Sequence, residues 1–235
     1  MGSFETVTPI DESIIAIRSR PTERDIDTTL DSAAKAFKVW QECPLHQRIE
    51  MVGRAGDSFV GWKDGIAEEI TEQIGRPIAF SGGEVDGFES RARIMLDLAN
   101  EALSPHTPAP LNGFKRSIER VPLGTVVVLA PWNYPFLTAV NAVVPALVAG
   151  NAVILKHSDQ TPIAAERMYA AFHAAGLPDG VFQYLHMSHS QVAKTIADPR
   201  VSYVCFTGSV AGGHAVQDAL SGTFTAAGLE LGGKD

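Results

Sequence analysis

The sequence predicts an α/β fold in which an open, mostly parallel sheet is flanked by helices. From residue 125 onward, apolar runs alternate with helical patterns, the rhythm of doubly wound sheets. The runs at 125–130 and 152–156 are continuous and rich in β-branched residues, as expected for strands buried on both faces. Of the 235 residues, 45% are hydrophobic, which is enough for a sizeable packed core.

Residues 1–103 are predicted to be mainly helical. The first helix carries one apolar face at helical spacing, formed by Ile26, Leu30, Ala33, Ala34, Phe37 and Trp40. Asp25 or Asp27 is expected to cap its start. A second helix is predicted over about 45–73 and a third over about 84–103, with residues 81–84 as the turn and cap between them.

Residues 104–124 are rich in Pro and Gly and then alternate like an exposed strand, which predicts a small hairpin arm turning at Asn112 and Gly113. Residues 125–235 form the predicted sheet core. Its helices are expected at 136–149, 162–175, 191–197 and 213–220, and its later strands at 181–185, 201–206 and 227–231.

Composition disfavours several classes of protein. A net charge of -8, with the charges mixed along the chain, is unlike a nucleic-acid-binding protein. Cys43 and Cys205 lie far apart and outside any CxxC spacing, which favours a reduced setting. The N-terminus lacks the pattern of a signal peptide, and the longest apolar stretch, at 137–150, contains Asn141 and Pro145. We therefore expect a cytoplasmic protein with no membrane partner.

Ligands of such sheets bind where the strands end, and the loop at 207–213 is the clearest phosphate candidate. Gly208 and Gly213 flank a turn that would open onto a helix amino terminus, and Ser209 could add a hydroxyl donor. The alternative is a simple turn with a helix cap.

Two other loops carry candidate groups. Lys156 and Asp159 could hold the two hydroxyls of a ribose; alternatively, the lysine is solvated and the aspartate caps the next helix. Trp132 and Asn133 lie between prolines, where a fixed amide could donate to a developing oxyanion. An asparagine there is otherwise an ordinary turn residue.

A histidine pair and a glycine-rich terminal sequence do not support a metal site or a P-loop. His186 and His189 are three residues apart, but no carboxylate or thiol completes a metal site, so both are expected to be surface loop residues. The terminal sequence GLELGGKD approaches a phosphate-binding P-loop, yet Asp235 stands where Ser or Thr is needed. A phosphoryl-transfer function is therefore rejected as the main hypothesis.

Together these loops resemble the aldehyde dehydrogenase superfamily. APWNYP at 130–135, FTGS at 206–209 and LELGGKD at 229–235 occur in the family's order and approximate spacing. Weaker support comes from GNAVILK, from AGLPDGVF and from the N-terminal residues Trp40, Pro44 and Arg48. The resemblance covers the chain from about Asp25 to its end, and it implies a Rossmann-like domain that binds NAD or NADP.

The resemblance also implies roles for single residues. Lys156 matches the family's ribose-binding lysine, Trp132 a residue of the cofactor cleft, and Leu231 a residue of the nicotinamide pocket. The turn beside the pyrophosphate matches Gly208, Ser209 and Gly213.

Asn133 matches the oxyanion-stabilising asparagine and Glu230 the general base that activates water against a cysteine thioester. The family's nucleophilic cysteine lies beyond Glu230 at a position that neither Cys43 nor Cys205 matches. The expectation is thus that residues 1–235 form an NAD(P)-binding domain without the catalytic domain, inactive alone. The alternative is a catalytically inactive nucleotide-binding or scaffold protein.

The sequence also departs from the family pattern at two places that affect the expected cofactor. Asp159 stands where NAD-using relatives carry the longer Glu, but its charge would still repel a 2′-phosphate, which favours NAD over NADP. Residues 185–191 lack the glycines that usually line the adenine side, so bulkier residues would narrow or rearrange that pocket.

The implied substrate is a small aldehyde, and the implied assembly is a homodimer or homotetramer. An exposed apolar face is expected where a catalytic domain would pack.

Overall fold

The computed structural model describes residues 2–233 and contains a two-stranded and a five-stranded sheet. The strands are β1 (Ser3–Val7), β2 (Ile14–Ser19), β3 (Thr125–Ala130), β4 (Ala152–His157), β5 (Phe182–Tyr184), β6 (Val201–Gly208) and β7 (Ala226–Leu231). The helices are α1 (Glu23–Trp40), α2 (Leu45–Gly61), α3 (Lys63–Ile74), α4 (Ile78–Ala102), α5 (Pro135–Val148), α6 (Pro162–Ala174), α7 (His189–Ile196) and α8 (Val210–Leu220).

The five-stranded sheet has the order β5-β4-β3-β6-β7, and every neighbouring pair is parallel. The predicted α/β class with a Rossmann-like parallel sheet is therefore confirmed. The chain starts at the central strand β3, builds β4 and β5 on one side, and then crosses to build β6 and β7 on the other. This reversal creates a switch point between β3 and β6. In sheets of this topology ligands bind at such a point, outside the carboxyl ends of the strands.

The hydrophobic core lies on both faces of this sheet. Alternate residues of β3 point in opposite directions, so Val126 and Val128 face one layer while Val127 and Leu129 face the other. The first layer consists of α2, α3, α4, α5 and α6, and the second of α1, α7 and α8. Burial on both faces explains why β3 and β4 read as unbroken apolar runs.

The N-terminal helices differ from the prediction at three points. Thr22 caps α1, and Asp25 serves as the reciprocal partner in a capping box. The predicted single helix over 45–73 is wrong, because Trp62 leaves the helical region and separates α2 from α3.

The predicted turn at residues 81–84 is also wrong, since these residues lie inside α4. The real break comes earlier, where Gly75 adopts the left-handed conformation at φ 70° and Pro77 begins the next helix. Ser81 and Glu84 are buried on the inner face of α4, which is why they are not a turn.

A hairpin also forms where the sequence predicted helix. β1 and β2 pair in antiparallel fashion at the start of the chain. Residues 104–124, the predicted hairpin arm, turn at Gly113 as expected, and the N–H of Phe114 donates to the carbonyl of Leu111 at 3.0 Å. The arm contains two isolated bridges, His106–Ile118 and Leu111–Phe114, and its described residues form no run of paired strand.

Candidate functional site

The carboxyl ends of four adjacent strands lie side by side at one edge of the sheet. Ala130 of β3 lies opposite His157 of β4, and Gly208 of β6 lies opposite Leu231 of β7. Because all the strands are parallel, the loops that leave them share this edge. The residues expected from the sequence that lie on or beside it are Trp132, Asn133, Lys156, Asp159, Gly208, Ser209, Glu230 and Leu231.

The loop after β3 presents two of these side chains to solvent. Trp132 is 54% exposed, and Asn133 is exposed beside it. The side-chain oxygen of Asn133 accepts the N–H of Tyr134 at 3.1 Å, so the amide nitrogen is the group offered as a donor. Arg76 steadies the loop, donating to the carbonyl of Asn133 at 2.7 Å with its guanidinium 4.5 Å from the centre of the Tyr134 ring.

A buried carboxylate fixes the helix that follows this loop. The side chain of Glu84 is fully buried, pairs with Arg76, and accepts the N–H groups of Phe136 at 2.8 Å and Leu137 at 3.2 Å. These amides belong to the first turn of α5, so Glu84 caps that helix from the neighbouring α4. Sequence reasoning missed both Arg76 and Glu84. The available signal was a carboxylate on the mostly apolar inner face of α4.

Lys156 lies at the end of β4 with only 8% of its surface exposed. Burial lowers the pKa of its ammonium, and the nearby charge of Asp159 opposes that shift in part. Its Nζ donates to Asp159 Oδ1 at 3.3 Å. Residues 2–233 give this nitrogen no other hydrogen-bond partner, so two donors of the ammonium are left for a ligand. The alternative of a solvated lysine is wrong.

Asp159 is held by an arginine from the N-terminal hairpin. Arg20 reaches both carboxylate oxygens, with its NH1 3.0 Å from Oδ1 and its NH2 bound to Oδ2. Burial opposes ionisation of Asp159, but the hydrogen bonds from Arg20 and the charge of Lys156 outweigh it and lower the pKa. The alternative that Asp159 caps the next helix is wrong, because Thr161 occupies the N-cap position of α6.

His157 connects the loop after β4 to the start of α5. Its Nε2 lies 2.8 Å from the carbonyl of Pro135, and its Nδ1 accepts the N–H of Ser158 at 3.1 Å. These partners fix the neutral tautomer in which Nε2 carries the proton. Complete burial lowers the pKa of His157 from 6.5 to about 4, so the ring is uncharged at neutral pH.

A second ionic cluster lies beside Asp159. Arg18 binds Glu166 through two hydrogen bonds of 2.6 and 2.8 Å, and His186 Nε2 lies 3.0 Å from the same carboxylate. Burial of Glu166 favours its neutral form, but Arg18 and His186 together lower its pKa to about 2. The expectation that His186 is a surface residue is wrong, since its side chain is largely buried, whereas His189 is exposed at the start of α7.

The turn after β6 begins α8. Ser209 is the N-cap, and its hydroxyl accepts the N–H of Gly212 at 3.1 Å, which confirms the cap considered from the sequence. At Gly208, a Cβ would lie 2.6 Å from the ring of Phe206, so the backbone approaches that ring closely.

Gly213 does not belong to this turn. It lies inside α8, where a Cβ would approach Leu231 Cδ2 at 2.8 Å. Its expected position beside the turn is thus wrong, and its small size instead lets α8 pack against β7.

β7 is the outermost strand on one side of the sheet and carries the last two candidate residues. Glu230 lies opposite Thr207 of β6 and is exposed. Leu231 is 43% exposed and packs on α8. Lys234 and Asp235, which the rejected P-loop hypothesis needs, lie outside the described residues.

The two cysteines do not lie at the carboxyl ends of the strands. Cys205 is in the middle of β6, opposite Val128, where burial raises the pKa of its thiol. Cys43 follows α1 and is half-buried. Within residues 2–233 no group of histidine, cysteine and carboxylate side chains is arranged to hold a metal ion. No helix in that part of the chain has the length and apolarity needed to span a bilayer.

Comparison with known proteins gives consistent matches. A model described as "Aldehyde dehydrogenase family" matches residues 2–235. An aldehyde dehydrogenase of Paenarthrobacter nicotinovorans is 31% identical over 236 residues, covering 99% of this chain and 52% of that protein. The NAD(P)+ succinate semialdehyde dehydrogenase Sad of Escherichia coli (strain K12) is 31% identical over 214 residues, covering 90% of this chain and 46% of that protein.

Solved structures of similar proteins superpose closely on this chain. The succinic semialdehyde dehydrogenase of Streptococcus pyogenes, in complex with NADP+, superposes with a TM-score of 0.93 at 27% identity, covering 99% of this chain and 51% of that one. PnpE in complex with nicotinamide adenine dinucleotide gives a TM-score of 0.94 at 27% identity, covering 99% and 48%. The chain spans about half the length of the relatives it matches.

Proposed function

The chain belongs to the aldehyde dehydrogenase family, and on that premise we propose that it binds NAD or NADP and takes part in oxidising an aldehyde to a carboxylic acid. The observation that carries this proposal is the switch point of the sheet, whose carboxyl end would form the cofactor cleft. There, the loops after β3, β4 and β6 meet at one edge. In sheets of this topology that edge is where nucleotides bind.

The side chains at this edge suit a dinucleotide. Lys156 is a nearly buried ammonium with donors to spare, which suits the hydroxyls of a ribose. The amino terminus of α8, opened by Ser209, suits a pyrophosphate because its backbone N–H groups carry partial positive charge. Trp132 supplies an exposed aromatic face, and Leu231 an apolar surface for the nicotinamide ring.

Asn133 is proposed as the donor that stabilises the substrate oxyanion. Its side-chain oxygen is occupied by the N–H of Tyr134, which leaves the amide nitrogen free to donate. Arg76 fixes the backbone of the same residue. A donor held before the reaction begins stabilises developing charge without reorganising, and this is the main source of such catalysis.

Glu230 is proposed as the general base. It lies exposed on β7, where it can take a proton from the water that hydrolyses a thioester. NAD or NADP, when bound, would supply the acceptor for the hydride that the aldehyde carbon loses. The thiolate that forms the thioester is not assigned to Cys43 or Cys205, since neither lies at the cleft.

The alternative is a nucleotide-binding protein without turnover. Cys205 is held within a strand, and burial raises the pKa of its thiol, so it is a poor nucleophile. In this alternative the cleft binds the cofactor, and Asn133 and Glu230 have no reaction to serve.

Titration calorimetry with NAD+ and with NADP+ tests the cofactor half of the proposal. We expect at least one cofactor to bind, and Lys156→Met to weaken that binding by about tenfold or more, because a charged hydrogen bond is lost. The matched control is Lys194→Met, which removes an exposed lysine paired with Glu23 away from the cleft. Absence of binding by both cofactors at millimolar concentration would overturn the proposal.

Turnover separates the two functions. Purified protein is assayed for reduction of NAD+ or NADP+ with two aldehydes. These are succinate semialdehyde, after which the Escherichia coli relative is named, and D-glyceraldehyde, after which a relative from Thermoplasma acidophilum is named. Reduction that is lost in Asn133→Ala and Glu230→Gln supports the oxidising function. Cofactor binding without reduction supports the alternative.

A further inference from the structure

The contacts of Asp159 bear on which cofactor the cleft accepts, a question that rests on the proposed function. We infer that Arg20 is a specificity-determining residue of this cleft: by pairing with Asp159 it offsets the charge that would repel a 2′-phosphate, so the cleft accepts NADP as well as NAD.

Arg20 is held firmly in position. Its side chain is only 17% exposed, and its guanidinium lies 4.2 Å from the centre of the Phe4 ring. NH1 also donates to the carbonyls of His186 at 3.2 Å and Met187 at 3.0 Å. A guanidinium with this many partners is ordered before any ligand arrives.

The charges around Asp159 are unbalanced in favour of an anion. Its carboxylate is contacted by two cations, Arg20 and Lys156. The neighbouring Arg18 and Glu166 pair with one another and add no net charge to the cluster. A carboxylate alone would repel a phosphate, whereas this three-residue cluster carries one excess positive charge.

The pairing also limits what Asp159 can offer a ribose. Both carboxylate oxygens already accept hydrogen bonds from the guanidinium, and Oδ1 accepts another from Lys156. The carboxylate is 39% exposed and keeps only part of its accepting capacity. Recognition of a free 2′-hydroxyl is therefore weakened at the same time as the penalty on a 2′-phosphate is reduced.

The test measures dissociation constants for NAD+ and NADP+ by calorimetry, so its readout does not depend on turnover. For the unchanged chain we expect the two constants to lie within about tenfold of each other. Arg20→Gln should weaken NADP+ binding by about tenfold or more relative to NAD+, since it leaves the charge of Asp159 less compensated. Arg20→Lys, which keeps the charge, should change the ratio less.

Asp159→Asn should shift the ratio toward NADP+, and the double variant Arg20→Gln/Asp159→Asn should recover NADP+ binding relative to Arg20→Gln alone. The matched control is the double variant Arg18→Gln/Glu166→Gln, because it removes an arginine of the same hairpin together with its carboxylate partner and leaves the net charge unchanged, so its ratio should stay unchanged. Thermal unfolding of each variant checks that the fold is intact.

The outcomes separate this inference from the proposed function. If neither cofactor binds the unchanged chain, the proposed function fails. If both bind and Arg20→Gln leaves their ratio within about twofold, or if Arg18→Gln/Glu166→Gln shifts it equally, only the role of Arg20 is overturned. Strong selectivity of the unchanged chain for NAD+ would overturn it as well.

Discussion

The two halves of the cleft are built in different ways. The half formed by β3 and β4 is fixed by side chains from distant parts of the sequence: Arg76 and Glu84 hold the start of α5, and Arg20 holds Asp159. The half formed by β6 and β7 depends on local contacts, such as the Ser209 cap.

The fold itself orders one half of the site more firmly than the other. The β3–β4 half should keep its geometry without a ligand, because buried charges and hydrogen bonds hold it. Glu230 is exposed on an edge strand, where fewer neighbours constrain it.

Removing the buried carboxylate should damage the β3–β4 half most. Glu84→Ala leaves Arg76 without its charged partner and two N–H groups of α5 without a cap. We expect the free energy of unfolding to fall by about 3 to 5 kcal/mol, the usual effect of breaking a buried ion pair. Urea denaturation followed by circular dichroism measures this change.

The matched control is Glu50→Ala, which removes an exposed carboxylate paired with Arg54 one helical turn away. That change should cost about 0.5 kcal/mol or less. Equal losses in the two variants would show that Glu84 does not brace the cleft.

His157 should make the stability of this half depend on pH. Its native pKa of about 4 lies below the unfolded value of 6.5, so the unfolded chain takes up a proton first as the pH falls. The part of the folding stability that depends on the neutral His157 ring is fully present above pH 6.5 and is lost progressively as the pH falls toward about 4. The full loss is on the order of 3 kcal/mol.

Denaturation curves at several pH values measure this loss. His157→Gln should flatten the profile between pH 6.5 and 4, whereas His214→Gln, which alters an exposed histidine, should not. Glu166 affects stability at lower pH. The fold lowers the pKa of its carboxyl from 4.5 to about 2, so the stability that depends on its charge is lost as the pH falls through that range. A profile that His157→Gln leaves unchanged would contradict the buried neutral histidine.

The contrast also explains which features could be predicted from the sequence. The buried strands were predicted closely, because β-branched runs such as β3 are fixed by burial on both faces. Candidate residues at the strand ends, such as Lys156 and Asn133, followed from the parallel topology. Their partners could not be found this way, since Arg20 lies 139 residues from Asp159 and Arg76 lies 57 residues from Asn133.

The N-terminal hairpin was missed for a similar reason. β1 buries few residues, so its sequence lacks a strong alternation of apolar and polar positions. The hairpin is fixed by tertiary contacts, including the hydroxyl of Thr6, which donates to the carbonyl of Asp159 at 2.8 Å. Gly213 shows the opposite error, because a glycine expected in a turn serves close packing of α8.

The smallest expected effect distinguishes a cap that also lines the cleft from one that does not. Ser209 caps α8 and Thr22 caps α1, so replacing either residue with Ala should cost about 1 kcal/mol of unfolding free energy. Under the proposed function, Ser209→Ala should also weaken cofactor binding by about 2- to 10-fold, the effect of losing a neutral hydrogen bond. Thr22→Ala should leave the dissociation constant unchanged. Urea denaturation and calorimetry on the same samples compare the two variants, and equal binding by both would mean that Ser209 serves the helix alone.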